Sequence, residues 1–256
     1  METDKTEQRY RAPALDRGLD ILELLAIHPG GLTRSEIMKE MGKSPSEIYR
    51  MLERLVARNY VSRSLEGDRY ALTMKLFHLA ASYPPLRRLV MNAQPLMDEF
   101  TRETMQSVHL VVADMGQAHV VAQASSRSAW EFRLRVGAML DMLHTSSGQT
   151  FLAFQDKDSV AQILKAAPDA PESLSAAMMK EFAVIRKNGY RLSASQQLVG
   201  VTDISAPVRS ANGATVAVLT CPFLPRVEAP PEDAQIVDLQ GALDLLLKTA
   251  ERISKT

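Results

Sequence analysis

Hydrophobic positions recur every three to four residues over 14–27 (ALDRGLDILELLAI), where Leu15, Leu19, Leu22 and Ala26 line up at helical spacing. Pro29-Gly30-Gly31 stops that pattern. A second helix is predicted over about 33–41, with Ile37 and Met41 on one face, and a third over about 45–59, with Ile48, Met51, Leu52 and Leu55 as its buried stripe. Two short strands, YVSRS and DRYALT, flank Leu65-Glu66-Gly67. Three helices and a hairpin make a winged helix-turn-helix over 12–72, preceded by a polar flexible arm at 1–11. A linker helix follows at 73–83, and Pro84-Pro85 closes it. Helical spacing resumes over 86–103 through Leu89, Ala93, Leu96 and Phe100, with a kink expected at Pro95.

The texture changes after Ser107. SVHLVVAD and HVVAQA flank Met115-Gly116-Gln117 as a hairpin, and WEFRLRV alternates Trp130, Phe132, Leu134 and Val136 against charged residues, the period of a half-buried strand. SSGQTFLAF starts a helix, and 172–188 forms another that ends at Gly189. TDISAPV and ATVAVLTC are strands joined through Asn212-Gly213. A last helix over about 233–253 buries Ile236, Leu239, Leu243, Leu246 and Ala250. Strands and helices mix without regular alternation, so the fold class is α+β, with a second domain over 84–256.

Two capping signatures fix the frame of the first domain. Thr33-x-x-Glu36 and Ser44-x-x-Glu47 each pair a helix-capping hydroxyl with a glutamate that reaches back. Pro45 occupies the first position of its helix, where a missing N–H costs nothing. At about 100° per residue, Ser46, Arg50, Glu53, Arg54 and Ala57 fall opposite the buried stripe. Arg50 suits a guanine edge or a phosphate. Ser44, Ser46 and Tyr49 lie near the end of the helix that enters a groove, Arg54 and Arg58 reach toward phosphates, and Arg63 and Arg69 sit on the wing. A plain solvated helix face is the competing reading.

Composition narrows the picture. With 30 basic and 30 acidic residues the 256-residue chain has no net charge, which argues against non-specific coating of nucleic acid. From Lys43 to Arg63, however, five basic residues face two acidic ones. A single cysteine, Cys221, excludes an intrachain disulfide framework and a multi-cysteine zinc site. No run of about 18 apolar residues is present, so the expectation is a soluble cytoplasmic protein without membrane contact. His109 and His119 fall on adjacent strands and, with Asp114, are the one candidate metal set. There is no HExxH, CxxC or G-x-S-x-G, so neither catalysis nor a cofactor is expected.

APALDRGLDILELLA, GGLTRSEI, SEIYRMLERLVARNYVSR and DRYALT, followed by LRVGA, LHTSSGQTFLAF, IRKNGYRLS and GVTDISAPV, resemble the IclR family of bacterial transcriptional regulators over about 12–253. The resemblance implies a homodimer or homotetramer on a palindromic promoter operator, paired through the first and linker helices. It implies a GAF-like C-terminal sensor of a small metabolite, and most simply a repressor of a catabolic operon. Carried over position by position, the effector site comprises Ser146, Ser147, Gly148, Ser193, Val201, Asp203, and Thr220 or Cys221. Many members carry Cys where this chain has Asp203 and an acidic residue near Ser193, so a polyol, sugar acid, amine or hydroxylated aromatic suits this chain better than a simple carboxylate. Bland roles compete: Asp203 as a structural carboxylate, Ser146 and Ser147 as helix caps, and Cys221 as a buried small hydrophobe. The rival functions are a small-molecule-binding domain or enzyme whose winged helix serves protein contacts, and a winged helix used only for dimerisation.

Overall fold

The computed structural model describes residues 12–64, 68–126, 132–167, 171, 173–225 and 237–256. The predicted arm, the wing tip Leu65-Glu66-Gly67, Trp130, Ile236 and the expected starts of two helices at 172 and 233 lie outside these residues. The chain divides between Pro84 and Pro85 into two compact units.

The first unit contains α1 (Pro13–Ala26), β1 (Leu32–Thr33), α2 (Arg34–Met41), α3 (Pro45–Ala57), β2 (Val61–Arg63), β3 (Arg69–Leu72) and α4 (Lys75–Ser82). β3 is the middle strand of an antiparallel three-stranded sheet, with Leu32 opposite Tyr70 and Val61 opposite Leu72. The pattern did not indicate β1, which is only two residues long. Ile21, Leu25, Ile37, Ile48, Leu52, Val61 and Tyr70 form the core. Gly42 ends α2 in the left-handed region at φ 59°, where a side chain would be strained, and so turns the chain into α3.

The buried face of α1 differs from the expected one. Gly18, Ile21 and Leu25 point inward, while Leu15 is 62% and Leu19 49% exposed. Apolar residues cover more than half of this helix, so its period did not fix which stripe is inside. α4 buries none of its residues and exposes Leu76, Phe77 and Leu79.

The second unit follows with α5 (Pro84–Thr104), β4 (Val108–Asp114), β5 (Gln117–Ala124), β6 (Met139–Leu140), α6 (Ser146–Ala153), α7 (Lys157–Ala166), α8 (Ala176–Asn188), β7 (Arg191–Ala194), β8 (Thr202–Arg209), β9 (Thr215–Phe223) and α9 (Leu239–Ser254). The strands form one antiparallel sheet in the order β6-β5-β4-β9-β8-β7. Met97 and Phe100 of α5 and Leu243 and Leu246 of α9 pack on one face with Leu110, Ile204 and Leu219. Phe151, Leu164 and Phe182, from α6, α7 and α8, pack on the other with Val111 and Val218.

Four local expectations change. Residues 132–135 are not a strand, although Phe132 and Leu134 are half-buried and Arg133 and Arg135 exposed. Their alternation records burial without a sheet partner. Val136, expected inside, is exposed. α8 begins at Ala176, because the Ser175 hydroxyl accepts from the Met178 N–H. α9 begins at Leu239, because Asp238 accepts from the Gly241 N–H.

Candidate functional site

Capping boxes fix the starts of α2 and α3. Glu36 accepts from the Thr33 N–H at 2.7 Å while the Thr33 hydroxyl accepts from the Glu36 N–H at 3.3 Å. At α3, Glu47 accepts both the Ser44 N–H at 3.2 Å and the Ser44 hydroxyl at 2.6 Å. These bonds hold both glutamates below the usual carboxylate range. Arg17 meets Glu47 at 2.6 Å, tying α1 to the start of α3. The Ser44 hydroxyl proton is therefore committed, and its contribution is to the frame.

Arg50 and Arg54 point outward with no partner among the described residues, and Ser46 lies exposed at the helix start. Tyr49 is exposed beneath the Arg34 guanidinium, 5.9 Å from its ring centroid. The two wing arginines are occupied. Arg63 binds Asp68 at 2.6 Å and lies 5.7 Å from the Tyr70 ring centroid. Arg69 donates to the Gly31 carbonyl at 2.9 Å and approaches Glu36 at 3.6 Å.

In the second unit, a cavity of about 470 Å³ opens between the sheet and the N-terminus of α6. His109 and Thr220 of its wall belong to a polar row that runs across four neighbouring strands. His109 of β4 is opposite Thr220 of β9, Thr220 is opposite Ser205 of β8, and Ser205 is opposite Arg191 of β7. Ser146 and Ser147 sit over this row. Ser146 Oγ lies 2.8 Å from Ser205 Oγ, which lies 2.9 Å from Thr220 Oγ1. Thr220 Oγ1 lies 2.9 Å from Ser147 Oγ, and Ser147 Oγ lies 3.4 Å from His109 Nε2.

Counting protons makes this chain directional. Each hydroxyl has one proton to give. If His109 Nε2 accepts, every proton points toward it and Ser146 keeps only lone pairs. If Nε2 carries the proton, the chain reverses and the Ser146 hydroxyl is free to donate. The cavity end of the row thus serves either a donor or an acceptor.

Burial pulls His109 down to about 4 and keeps the imidazole neutral. Burial raises Asp203, against a hydrogen bond from Ser195 and the charge of Arg191. For Asp141, burial acts upward but is outweighed by the N–H groups of His144 and Leu143, each at 2.7 Å, so its carboxyl stays low.

His109 gives the protein a pH dependence. Between its folded value of about 4 and its ordinary 6.5, the unfolded chain binds the extra proton, so folding weakens as pH falls through that window. The second unit is expected to lose up to about 3 kcal/mol from pH 7 to pH 4 through this group alone. His109→Gln should flatten that part of a urea-melt series. An unchanged pH slope would refute the assignment.

Ser146, Ser147, Asp203 and Thr220 line the cavity. Four other expected residues do not. Cys221 neighbours Thr220 and so points to the opposite sheet face, packed in the core on the α5 and α9 side. Burial, with the Asp203 charge, lifts its thiol far above the usual range. Gly148 serves packing: a Cβ there would lie 2.5 Å from the Met142 carbonyl oxygen. The Val201 carbonyl accepts the Ser195 N–H at 2.9 Å, and Ser193 receives a bond from Arg191. Ser205 and the cavity role of His109 were not foreseen.

The histidine pair does not form. His119 is opposite Val112, which packs on the α5 and α9 side, while His109 faces α6. Among the described residues no three His, Cys, Asp or Glu side chains converge as a metal site.

The description "Bacterial transcriptional regulator IclR C-terminal" matches residues 86–255, and "IclR helix-turn-helix domain" matches residues 14–64. The chain belongs to the IclR family. IclR relatives include the HTH-type transcriptional regulator KdgR of Escherichia coli K12, 27% identical over 194 residues and covering 74% of each chain. XynR of the same organism is 24% identical, covering 90% of this chain and 92% of its own. Relatives are named as transcriptional regulators and repressors, not enzymes. An IclR homolog from Microbacterium hydrocarbonoxydans, solved with 4-hydroxybenzoate, shares the fold at a TM-score of 0.75 and 21% identity, over 94% of this chain and 98% of its own.

Proposed function

We propose that this chain represses a catabolic operon by binding its promoter through α3, and that a small metabolite in the α6 cavity controls that binding. The observation that carries the DNA part is the division of cations. The wing arginines are held inside the first unit, whereas Arg50 and Arg54 stand on the outer face of α3 without a partner among the described residues. Arg50 reads a base edge, Ser46 and Tyr49 contact the groove beside it, and Arg54 anchors a phosphate. The naming of IclR of Escherichia coli as a transcriptional repressor, at 22% identity over 200 residues, supports the sign of the regulation. That an IclR homolog was solved with 4-hydroxybenzoate supports a small-molecule ligand for this chain.

The exposed Leu15, Leu19, Phe77 and Leu79 supply apolar surface through which copies associate, so that two reading helices meet a palindromic operator about 34 Å apart or a multiple of it. No helix among the described residues is long and apolar enough to cross a membrane. The site of action proposed, from the promoter-binding role, is the cytoplasm.

The test is a gel shift on the chain's own promoter region. Arg50→Ala is expected to weaken operator binding by about 1–3 kcal/mol, or roughly 5–150-fold. Arg54→Ala should weaken all sequences alike and reduce the salt slope by about one. Wild-type affinity in both variants would overturn the reading. Ligand binding with no DNA affinity would favour a sensor that uses its winged helix for protein contacts.

A further inference from the structure

We propose that the cavity takes a small zwitterion, an α-amino acid with an apolar side chain. This rests on the cavity being the effector site.

Three features of the wall converge. Donors come first. The Thr145 hydroxyl already accepts the Gly148 N–H at 3.2 Å, but the N–H groups of Ser146 and Ser147 have no acceptor among the described residues. They stand at the positive end of α6, beside the adaptable end of the hydroxyl row, and call for an anionic oxygen.

The second feature is a carboxylate, Asp203, that takes a hydrogen bond from Ser195 and feels the charge of Arg191 but has no ion-pair contact with a cation among the described residues. Asp203 lies two residues from Ser205 on the same face of β8, about 7 Å along the strand. Ser205 is in turn directly beneath Ser146. No Lys or Arg is among the described residues that line the cavity. Arg191, opposite Ser205 on β7, lends its charge to Asp203 at a distance, while its guanidinium is bonded to Ser193 and meets Glu181 at 2.6 Å. The remaining acid, Asp141, is satisfied by two backbone N–H groups and by the His144 ring at 2.9 Å. Asp203 is therefore the group that a cationic donor would complete, and a charged N–H forms the stronger bond to it.

The third feature is apolar. Phe132, Leu134, Met139, Leu140, Leu198 and Pro222 make up the rest of the wall. A plain carboxylate would satisfy the α6 donors and leave its charge facing Asp203. A plain amine would satisfy Asp203 and leave the α6 donors bare. An α-amino acid carries both groups on one carbon, spans the gap between Ser146 and Asp203, and rests its side chain on the apolar wall.

The experiment is a thermal-shift series on the full chain with L-leucine, L-methionine and L-phenylalanine at millimolar concentration. It runs beside the corresponding carboxylates without the amine and the corresponding amines without the carboxylate. At least one amino acid should raise Tm by several degrees and exceed both of its partial analogues. Asp203→Asn should remove that advantage. Leu198→Trp, which narrows the mouth without touching the polar row, should abolish the shift. Carboxylates that stabilise as well as the amino acids, or no response to any of the three, would overturn the proposal. An amino acid that binds without changing operator affinity would leave the ligand class standing and sink the effector role. A carboxylate that binds and changes operator affinity would do the opposite. Binding that survives Leu198→Trp would place the site elsewhere.

Discussion

Replacing Leu52 by alanine is expected to unfold the DNA-binding unit under conditions in which the second unit stays intact. Leu52 is fully buried among Ile21, Ile37, Ile48 and Tyr70. Truncating such a residue costs about 2–5 kcal/mol, because the lost burial is compounded by the hole left behind. A unit of this size has only ~4–12 kcal/mol in total. Each kcal/mol corresponds to roughly 4–8 °C in Tm for a small domain. Calorimetry should therefore show one transition moved down by about 10 °C or more and another unmoved, since among the described residues the two other cores contain none of the first unit. Operator binding should disappear at 37 °C while ligand-dependent stabilisation survives. A single transition that shifts as a whole would show that the units melt together.

Gly148→Ala should have the complementary outcome. The position is helical and needs no unusual φ; what it needs is space. A Cβ would sit 2.5 Å from both the Met142 Cα and the Met142 carbonyl oxygen. Backbone cannot swing aside as a side-chain tip can, so α6 must lift. Overpacking of this kind typically costs 1–3 kcal/mol. The functional loss should exceed the stability loss, because lifting α6 separates Ser146 from Ser205 and Ser147 from Thr220, contacts of 2.8 and 2.9 Å. The variant should keep wild-type operator affinity and lose its response to ligand. A wild-type Tm with a full ligand response would show that the predicted contact is absorbed.

Much of the frame was legible because it is local. Thr33 with Glu36 and Ser44 with Glu47 are three residues apart, and each pair closes in the structure. Met115-Gly116 and Asn212-Gly213 turn their hairpins where short-range chemistry places them. The illegible parts depend on distant partners. Ser147 meets Thr220 across 73 positions and Ser146 meets Ser205 across 59, so nothing in the spacing of either segment announces the hydroxyl chain. Cys221 and Thr220 were indistinguishable as site candidates until the register fixed which one faces α6. Alternation over 132–135 was real, yet alternation reports which side chains are covered, not whether the backbone has a neighbour. Of the set proposed to face DNA, the direction of Arg50 followed from helical angle alone, whereas the engagement of Arg63 and Arg69 required the positions of Asp68, Gly31 and Glu36.

Cys221 is the chain's sole cysteine, fully buried beneath α5 and α9, and its thiol resists ionisation. Only the thiolate attacks an alkylating reagent. Modification must then wait for the sheet to separate from its helices, and its rate is set by how often that happens. The unaltered protein thus carries a built-in opening clock for the second unit, with no second cysteine to blur the reading.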